Sequence, residues 1–272
     1  MHIAVLIKQI FDPEVATTVF RIDEEAREIV PLPGVSPVVS PFDEQAVEAA
    51  LRIKDELGGE DGSGIKVTVI TMADDSARVG IKGELAKGAD EGVLLSDPAF
   101  EGADAVSTAR TLAAAIQKLG DVDIVLAGRQ AADGDLGVVG LGVAELLDIP
   151  AITFACDVRV DGETLRVVRV LEDGTETVEA GLPALVTISH ELGKPRYAGL
   201  RETMRAARKP IHAWSAADLE VDAEAIGAAG SRKALDGLYI PDRTIDCEMI
   251  EGETPEEIAA TLASRLKEAD LL

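Results

Sequence analysis

The sequence predicts an α/β fold, a doubly wound and mostly parallel sheet with an antiparallel insertion and a C-terminal arm. Three observations predict it. Short apolar runs alternate with amphipathic stretches up to about residue 150, turn dipeptides then divide shorter alternating segments over about 155–180, and core-forming residues thin out beyond about residue 220. Alternation of strands with helices implies parallel strands covered on both faces.

The elements follow in order. His2 to Ile7 (HIAVLI) reads as a buried first strand, followed by Lys8, Asp12-Pro13 and an irregular excursion past Pro31, Pro33 and Pro41. Ser40-Pro41 opens a helix, because serine can cap and proline suits the first helical position. Val47, Ala50, Leu51 and Leu57 then recur at helical spacing until Gly58-Gly59. A second unit has the strand Lys66 to Thr71, an acidic turn at Asp74-Asp75, a helix carrying Ala77, Ile81 and Leu85 up to Gly88, and the short strand Gly92 to Leu95. A third helix, from about Ala103 to Leu119, leads into the strand Val122 to Ala127; a loop rich in Gly and Asp then opens a helix ending near Pro150. From Ala151 the pattern changes: Asp161-Gly162 and Asp173-Gly174 read as hairpin turns around Leu165 to Leu171, and Leu185 to Ser189 returns to the main sheet. After Pro210 the pattern weakens until Thr254, with Glu257 at capping-box spacing, opens a last amphipathic helix bearing Ile258, Leu262 and Leu266. The segment before that helix is either an arm that packs on another chain or a loop folded over its own surface.

Composition limits the function. A chain of 272 residues with 47% hydrophobic and 28% charged residues is large enough to bury a substantial core as one α/β domain with an extension. Lys and Arg number 26 against 50 Asp and Glu, and the net charge of −24 argues against nucleic acid and anionic membrane as partners. No apolar stretch is long enough to span a bilayer, and no cleavable leader is recognisable, so the protein is expected in the cytoplasm without membrane insertion. Cys156 and Cys247 make no CxxC, and His2, His190 and His212 lack metal-ligand spacing, so no metal site is expected. Aromatic residues are 3% of the chain, so a flat cofactor would have to be held by backbone amides and shape.

In such a sheet ligands sit beyond the carboxyl ends of the strands. The loop Gly128 to Gly140 (GRQAADGDLGVVG) lies there, with glycines that let the backbone approach a phosphate and free N–H groups where the helix starts. Asp133 and Asp135 would repel a phosphate, which suits them to a ribose hydroxyl, a helix cap or solvent. By itself the loop is equally a structural turn, since it is neither GxGxxG nor GxxxxGK[ST]. No catalytic set is present: no Ser/His/Asp arrangement emerges, and His190, just past a strand end, is a lone loop histidine. Any reaction would therefore rest on a cofactor. The second anomaly is Lys194 to Lys209 (KPRYAGLRETMRAARK), where Lys194, Arg196, Arg201, Arg205, Arg208 and Lys209 face the single Glu202 in an otherwise acidic chain. With Tyr197, Leu200 and Met204 interleaved, it reads as a protein-docking surface, a cofactor-proximal loop or a solvated helix face.

Taken together, these stretches resemble the β subunit of electron transfer flavoproteins. The matching residues are Gly128 to Asp135, Val139-Gly140, AELLDIP (Ala144 to Pro150), Val168 to Ser189, KPRY with Leu200 and Met204, and LAKGAD (Leu85 to Asp90), in order from residue 1 to about 220. The resemblance implies a heterodimer with an α subunit that carries the electron-transferring FAD, while the β subunit holds a second nucleotide of its own. That nucleotide is AMP in simple members; in electron-bifurcating members it is a second FAD that exchanges a hydride with NADH. Asp133-Gly134-Asp135, Val139-Gly140 and Pro98 to Ile116 resemble the bifurcating form, so FAD is expected ahead of AMP, with weak binding or loss of the site as the third alternative. Leu136, Gly137, Val138 and Leu141 depart from that form and remove two polar groups expected near a pyrophosphate. Ser40 stands where Asn is frequent, and Met72-Ala73-Asp74-Asp75 replaces a Met-Gly-Pro-type turn.

The contacts expected by this resemblance are Ile7, Lys8, Gln9, Ser40, Met72, Gly128, Arg129, Gln130, Asp133, Gly134, Asp135, Gly137, Val138 and Val139. Tyr197, Leu200, Arg201 and Met204 are expected to dock a dehydrogenase of the acyl-CoA or another type, with Leu200 as anchor and Arg201 standing where many members have Pro. Residues 1–220 would then form the nucleotide-binding domain, and 221–272 an arm and helix packed on the α subunit. Two rivals fit less well. A stress-protein-type regulatory domain lacks the insertion and KPRY, and an ATP-using ligase needs an SGGxDS-like loop where Lys8-Gln9-Ile10-Phe11 stands.

Overall fold

A computed structural model describes residues 1–16, 19–30, 33–58, 64–241 and 247–272. Pro31 and Gly59, invoked above as a chain break and a helix stop, lie outside the described residues. The first strand is β1 (His2–Leu6), followed by the short strands β2 (Gln9–Ile10), β3 (Arg21–Asp23), β4 (Glu28–Val30) and β5 (Val38–Val39). Next come α1 (Pro41–Leu57), β6 (Lys66–Met72), α2 (Arg78–Lys87), β7 (Glu91–Leu95), α3 (Ala105–Leu119), β8 (Ile124–Gly128) and α4 (Val139–Leu147). The insertion is β9 (Ala151–Asp161), β10 (Thr164–Leu171) and β11 (Gly174–Gly181), and β12 (Ala184–Ile188) returns to the core. The remainder is α5 (Leu200–Ala206), β13 (Ile211–Trp214), α6 (Ala216–Leu219), α7 (Gly227–Gly230) and α8 (Pro255–Glu268).

Nine strands make one sheet in the order β11-β10-β9-β12-β8-β1-β6-β7-β13. From β9 to β13 in that order neighbours run parallel, while β10 pairs antiparallel with both β9 and β11. The hairpin turns fall at Gly162-Glu163 and Glu172-Asp173, one residue displaced from the dipeptides read in the sequence. β2 pairs antiparallel with β5 outside this sheet.

The alternation inside β1 explains why Ile3 to Leu6 is apolar throughout. In β1, Ile3 and Val5 point into the core beneath α1 and α2, while Ala4 and Leu6 point into the core beneath α3 and α4. A strand buried on both faces has no solvent side to carry polar residues. Two helix starts show different capping. Asp104 accepts hydrogen bonds from the Val106 and Ser107 amides and caps α3. Ser40 occupies the corresponding place before α1, yet its hydroxyl does not cap the helix.

β13 is the strand of the main sheet that the sequence did not disclose, and the short strands β2 to β5 replace the irregular excursion expected after β1. Ile211 to Trp214 pairs with Gly92 to Leu95 and extends the sheet past β7. Four residues, two of them exposed, leave too short a pattern to read. The chain divides into two compact units, Met1–Arg21 with Ile29–Asp236 and Ile22–Glu28 with Gly237–Leu272. In the second, Thr254 accepts from the Glu257 amide and caps α8; the Glu257 carboxylate reaches back to the amide of Glu253, one residue earlier than a reciprocal capping box requires. No residue of α8 is buried.

Candidate functional site at the strand-order reversal

From β1 the chain proceeds to β6 and β7 on one side, then returns to β8 on the other side of β1. α1, which follows β1, covers one face of the sheet, and α4, which follows β8, covers the other. The connections leaving β1 and β8 therefore diverge, and this is the crevice where open α/β sheets place ligands. Ile7, Lys8 and Gln9 follow β1, Ser40 precedes α1, Met72 ends β6, and Gly128 to Val139 run from β8 into α4. The topology brings all of these expected contacts to one edge.

Hydrogen bonds knit that edge. The Ser40 amide donates to the Lys8 carbonyl at 2.9 Å, and the Ser40 hydroxyl accepts from the Ala132 amide at 3.3 Å. The serine expected to cap a helix instead ties the β8 loop to the start of α1. Lys8 Nζ pairs with Asp133 Oδ2 at 2.6 Å, and Gln130 Nε2 donates to Asp135 Oδ1 at 2.7 Å. Gln9 donates to Ser76, in the turn after Met72, at 2.8 Å. Asp74, in the same turn, accepts from both the hydroxyl and the amide of Ser76, and these bonds hold its carboxyl below the usual range.

The loop glycines have different reasons. A Cβ on Gly128 would collide with Asp43 Oδ1 and lie 2.8 Å from Phe42, so no side chain fits there. Gly137 has φ +64°, a left-handed conformation that glycine adopts without strain. Gly134 faces open space, with nothing within 4 Å of the position a Cβ would take. We expect Gly128→Ala to cost about 1–3 kcal/mol of stability through overpacking; a denaturation midpoint equal to that of the parent would show that α1 can retreat.

The donor set at this edge suits an anion. Among the described residues, the six amides from Leu136 to Leu141 donate to no protein acceptor, and no side chain caps α4. Consecutive unpaired N–H groups at a helix start carry partial positive charge and can take phosphate oxygens. Leu136 and Val138 are 68% and 49% exposed, so the polar groups missing from the sequence are replaced by apolar side chains open to solvent.

Two features were missed in the sequence. Asp43 is 6% exposed and lies beneath the site, its Oδ2 accepting from the Lys8 amide at 2.8 Å and its Oδ1 from the Gly128 amide at 3.0 Å. Its only sequence signal was an acidic residue in the first turn of a helix, which ordinarily reads as a solvated complement to the helix dipole. The second is the setting of Arg129, whose guanidinium lies 5.2 Å from the Phe42 ring centre and 5.7 Å from that of Phe154. Phe154 has φ 58° at a bulge in β9, an unusual backbone for an aromatic residue. Arg129, Phe154, Arg169 and Ser189 line an open cavity of about 390 Å³. His190 is exposed and lies edge-on to Phe42 at 6.4 Å.

The proposed docking residues lie on a different segment, between β12 and β13. Tyr197, Leu200 and Met204 are 94%, 79% and 69% exposed, and Arg201 is exposed beside them. The six cations of the segment do not act alike. Arg196 pairs with Glu48 at 2.8 Å and with Asp55 at 2.8 Å, and Lys209 donates to the carbonyls of Leu85 and Ala89. Lys194, Arg201, Arg205 and Arg208 are exposed and make no ion pair among the described residues. The first two fasten the segment to α1 and α2, and the other four leave its surface positive. Arg196→Ala should lower stability by about 1–3 kcal/mol, because Glu48 is buried and, among the described residues, keeps only Arg52 as a charged partner. Hydrogen exchange confined to 194–209 should accelerate in that variant, and unchanged exchange would remove Arg196 as the fastener.

The fold and this edge define a doubly wound α/β protein with its ligand-type loop at the strand-order reversal. Residues 34–219 match the family model of the electron transfer flavoprotein domain. The chain is 40% identical over 272 residues, all of both chains, to the caffeyl-CoA reductase-Etf complex subunit CarD of Acetobacterium woodii. It is 40% identical over 259 residues, 95% of each chain, to the electron transfer flavoprotein subunit beta of Thermoanaerobacterium thermosaccharolyticum. It is 33% identical over 276 aligned positions, 98% of this chain and 94% of the relative, to Protein FixA of Azotobacter vinelandii. The chain belongs to the electron transfer flavoprotein β-subunit family, and it is an electron transfer subunit of that type. The family is that of the electron transfer flavoproteins, and two of the relatives are named as subunits of a caffeyl-CoA reductase-Etf complex and of an acryloyl-CoA reductase. Among the described residues no helix is long and apolar enough to cross a membrane.

Proposed function

We propose that this chain forms a heterodimer with an electron transfer flavoprotein α subunit and holds a nucleotide of its own at the β1–β8 edge. The observation that carries this reading is the run of six acceptorless amides from Leu136 to Leu141 at the uncapped start of α4. In this reading the phosphate lies on those amides, Gly137 supplies the left-handed turn that aims them, and Lys8 offsets the charge of Asp133 nearby. Asp135 and Asp133 are kept for ribose hydroxyls or for the loop itself. Ile7, Gln9, Ser40, Met72, Arg129 and Gln130 complete the walls.

FAD is the nucleotide favoured, on the Asp133-Gly134-Asp135 and Val139-Gly140 pattern. Bound FAD supplies redox chemistry that no side chain of this site offers, and with it the subunit would take electrons from NADH or a dehydrogenase and deliver them to a downstream acceptor, by bifurcation if both flavins participate. The second reading is AMP in a non-bifurcating subunit, favoured by the exposed Leu136 and Val138 where a pyrophosphate would prefer polar neighbours. Tyr197, Leu200, Arg201 and Met204 would meet a dehydrogenase, and the segment 221–272 would pack on the α subunit, both in the cytoplasm.

The test is to purify the chain with a co-expressed α subunit and release the bound nucleotides with acid. Two flavins per heterodimer are expected. One flavin with one AMP would establish the second reading, and a stable lone chain indifferent to α would sink the heterodimer.

A further inference from the structure

Asp43 stands where the two arms of the crevice meet. Lys8 follows β1 and Gly128 ends β8, the adjacent parallel strands whose connections diverge to opposite faces. One carboxylate receives an amide from each, at 2.8 Å and 3.0 Å. The packing is tight, since the Gly128 Cα leaves no room for a methyl group against Asp43 Oδ1. The same two residues lead directly into the expected nucleotide contacts, Lys8 through its pair with Asp133 and Gly128 through the loop it opens. α1 thus carries a double acceptor where its neighbours need one. Two N–H groups directed at two oxygens of one side chain require a carboxylate: an amide of the same shape has a single acceptor oxygen, and its NH₂ would face an N–H.

We propose that Asp43 is a positioning residue of the nucleotide site, its ionised carboxylate setting the separation of the β1 and β8 arms that grip the ligand. The inference rests on the nucleotide reading above. Burial raises the Asp43 carboxyl from 3.8 to about 7, against the lowering effect of the two amides and of Lys8; Glu84 of α2 is the charged group that raises it further. Its charge state therefore changes near neutrality. The sign works in two opposite directions. For folding, a carboxyl raised in the native state holds its proton more firmly there, so its contribution to stability declines as pH rises from about 4 to about 7. For the ligand, the ionised form is the stronger acceptor for both amides, so nucleotide affinity rises through the upper part of the same window. A merely structural aspartate would change stability with pH and leave nucleotide affinity flat.

The experiment measures FAD and AMP binding to the β-subunit site of the purified heterodimer, emptied of its nucleotide while the α-subunit flavin stays in place, between about pH 6 and about pH 8. The pyrophosphate of FAD does not titrate there, and AMP is read as the ratio of variant to parent at each pH so that phosphate ionisation cancels. Parent affinity is expected to rise about fivefold over this range, while the melting temperature of the stripped protein does not rise. Asp43→Asn should bind about tenfold more weakly at the upper pH and show no pH trend. Glu84→Gln, which removes the other nearby buried acid, should keep the parent's trend. An Asp43→Asn heterodimer with parental affinity and trend overturns the inference while leaving the nucleotide reading intact. Loss of the trend in Glu84→Gln alone also overturns it. If Asp43→Asn does not fold, a parent affinity that stays flat across the range overturns it. Parent protein that binds neither nucleotide at any pH overturns the nucleotide reading, and this inference with it.

Discussion

Val138→Asp is expected to empty the nucleotide site without unfolding the subunit. Val138 immediately precedes α4, half-exposed, beside amides that have no acceptor among the described residues. A carboxylate there supplies the anion that the helix start lacks, and it repels a phosphate at close range. Two like charges about 4 Å apart at an effective dielectric near 20 cost about 4 kcal/mol, so nucleotide affinity should fall by about 100- to 1,000-fold. The helix itself should be unharmed or gain about 0.5 kcal/mol from the added acid. Opposite movements of ligand content and thermal stability would separate a ligand-binding helix start from one that is simply uncapped. Full nucleotide content in this variant would remove the amide run as the phosphate site.

The second large effect is expected at Leu200. Its side chain is 79% exposed on α5, next to Tyr197 and Met204, in a segment whose free cations stand out from an acidic chain. An exposed apolar side chain ringed by charge has the make-up of an interface anchor, and truncating such anchors typically costs about 2 kcal/mol or more. Leu200→Ala should slow electron transfer to the partner dehydrogenase about 30-fold at sub-saturating partner concentration, with flavin content and melting temperature unchanged. Neutralising Arg201 should act differently, lowering the association rate and its salt dependence more than the dissociation rate. A transfer rate in Leu200→Ala equal to the parent's would exclude it as the anchor.

Local patterns carried much of the fold. The β1 and β8 runs were readable because burial on both faces leaves them apolar, β6 and β12 because only buried threonines interrupt their β-branched and aliphatic runs, and α1 and α3 because their apolar residues recur at helical spacing. The antiparallel insertion was readable from its alternation, although the turns fall a residue away from the dipeptides that signal them. β13 was not readable, since a four-residue edge strand depends on β7 for its pairing and has no periodicity of its own.

At the candidate site the division is sharper. Sequence alone determined that this is a doubly wound α/β chain, that Gly128 to Gly140 follows a strand and opens a helix, and that Lys194 to Lys209 is a basic segment in an acidic protein. Those properties reside in near neighbours along the chain, where spacing and composition are themselves the physical cause. The tertiary structure decided what the polar residues do. It turned Ser40 from a helix cap into an acceptor for Ala132, divided the basic segment into two fasteners and four exposed cations, and placed the Asp43 carboxylate between amides 35 and 85 residues away. A hydrogen bond or ion pair is a matter of a few ångströms between groups that the chain can separate by any length. Only the assembled sheet, with β1 and β8 side by side, brings those partners within reach.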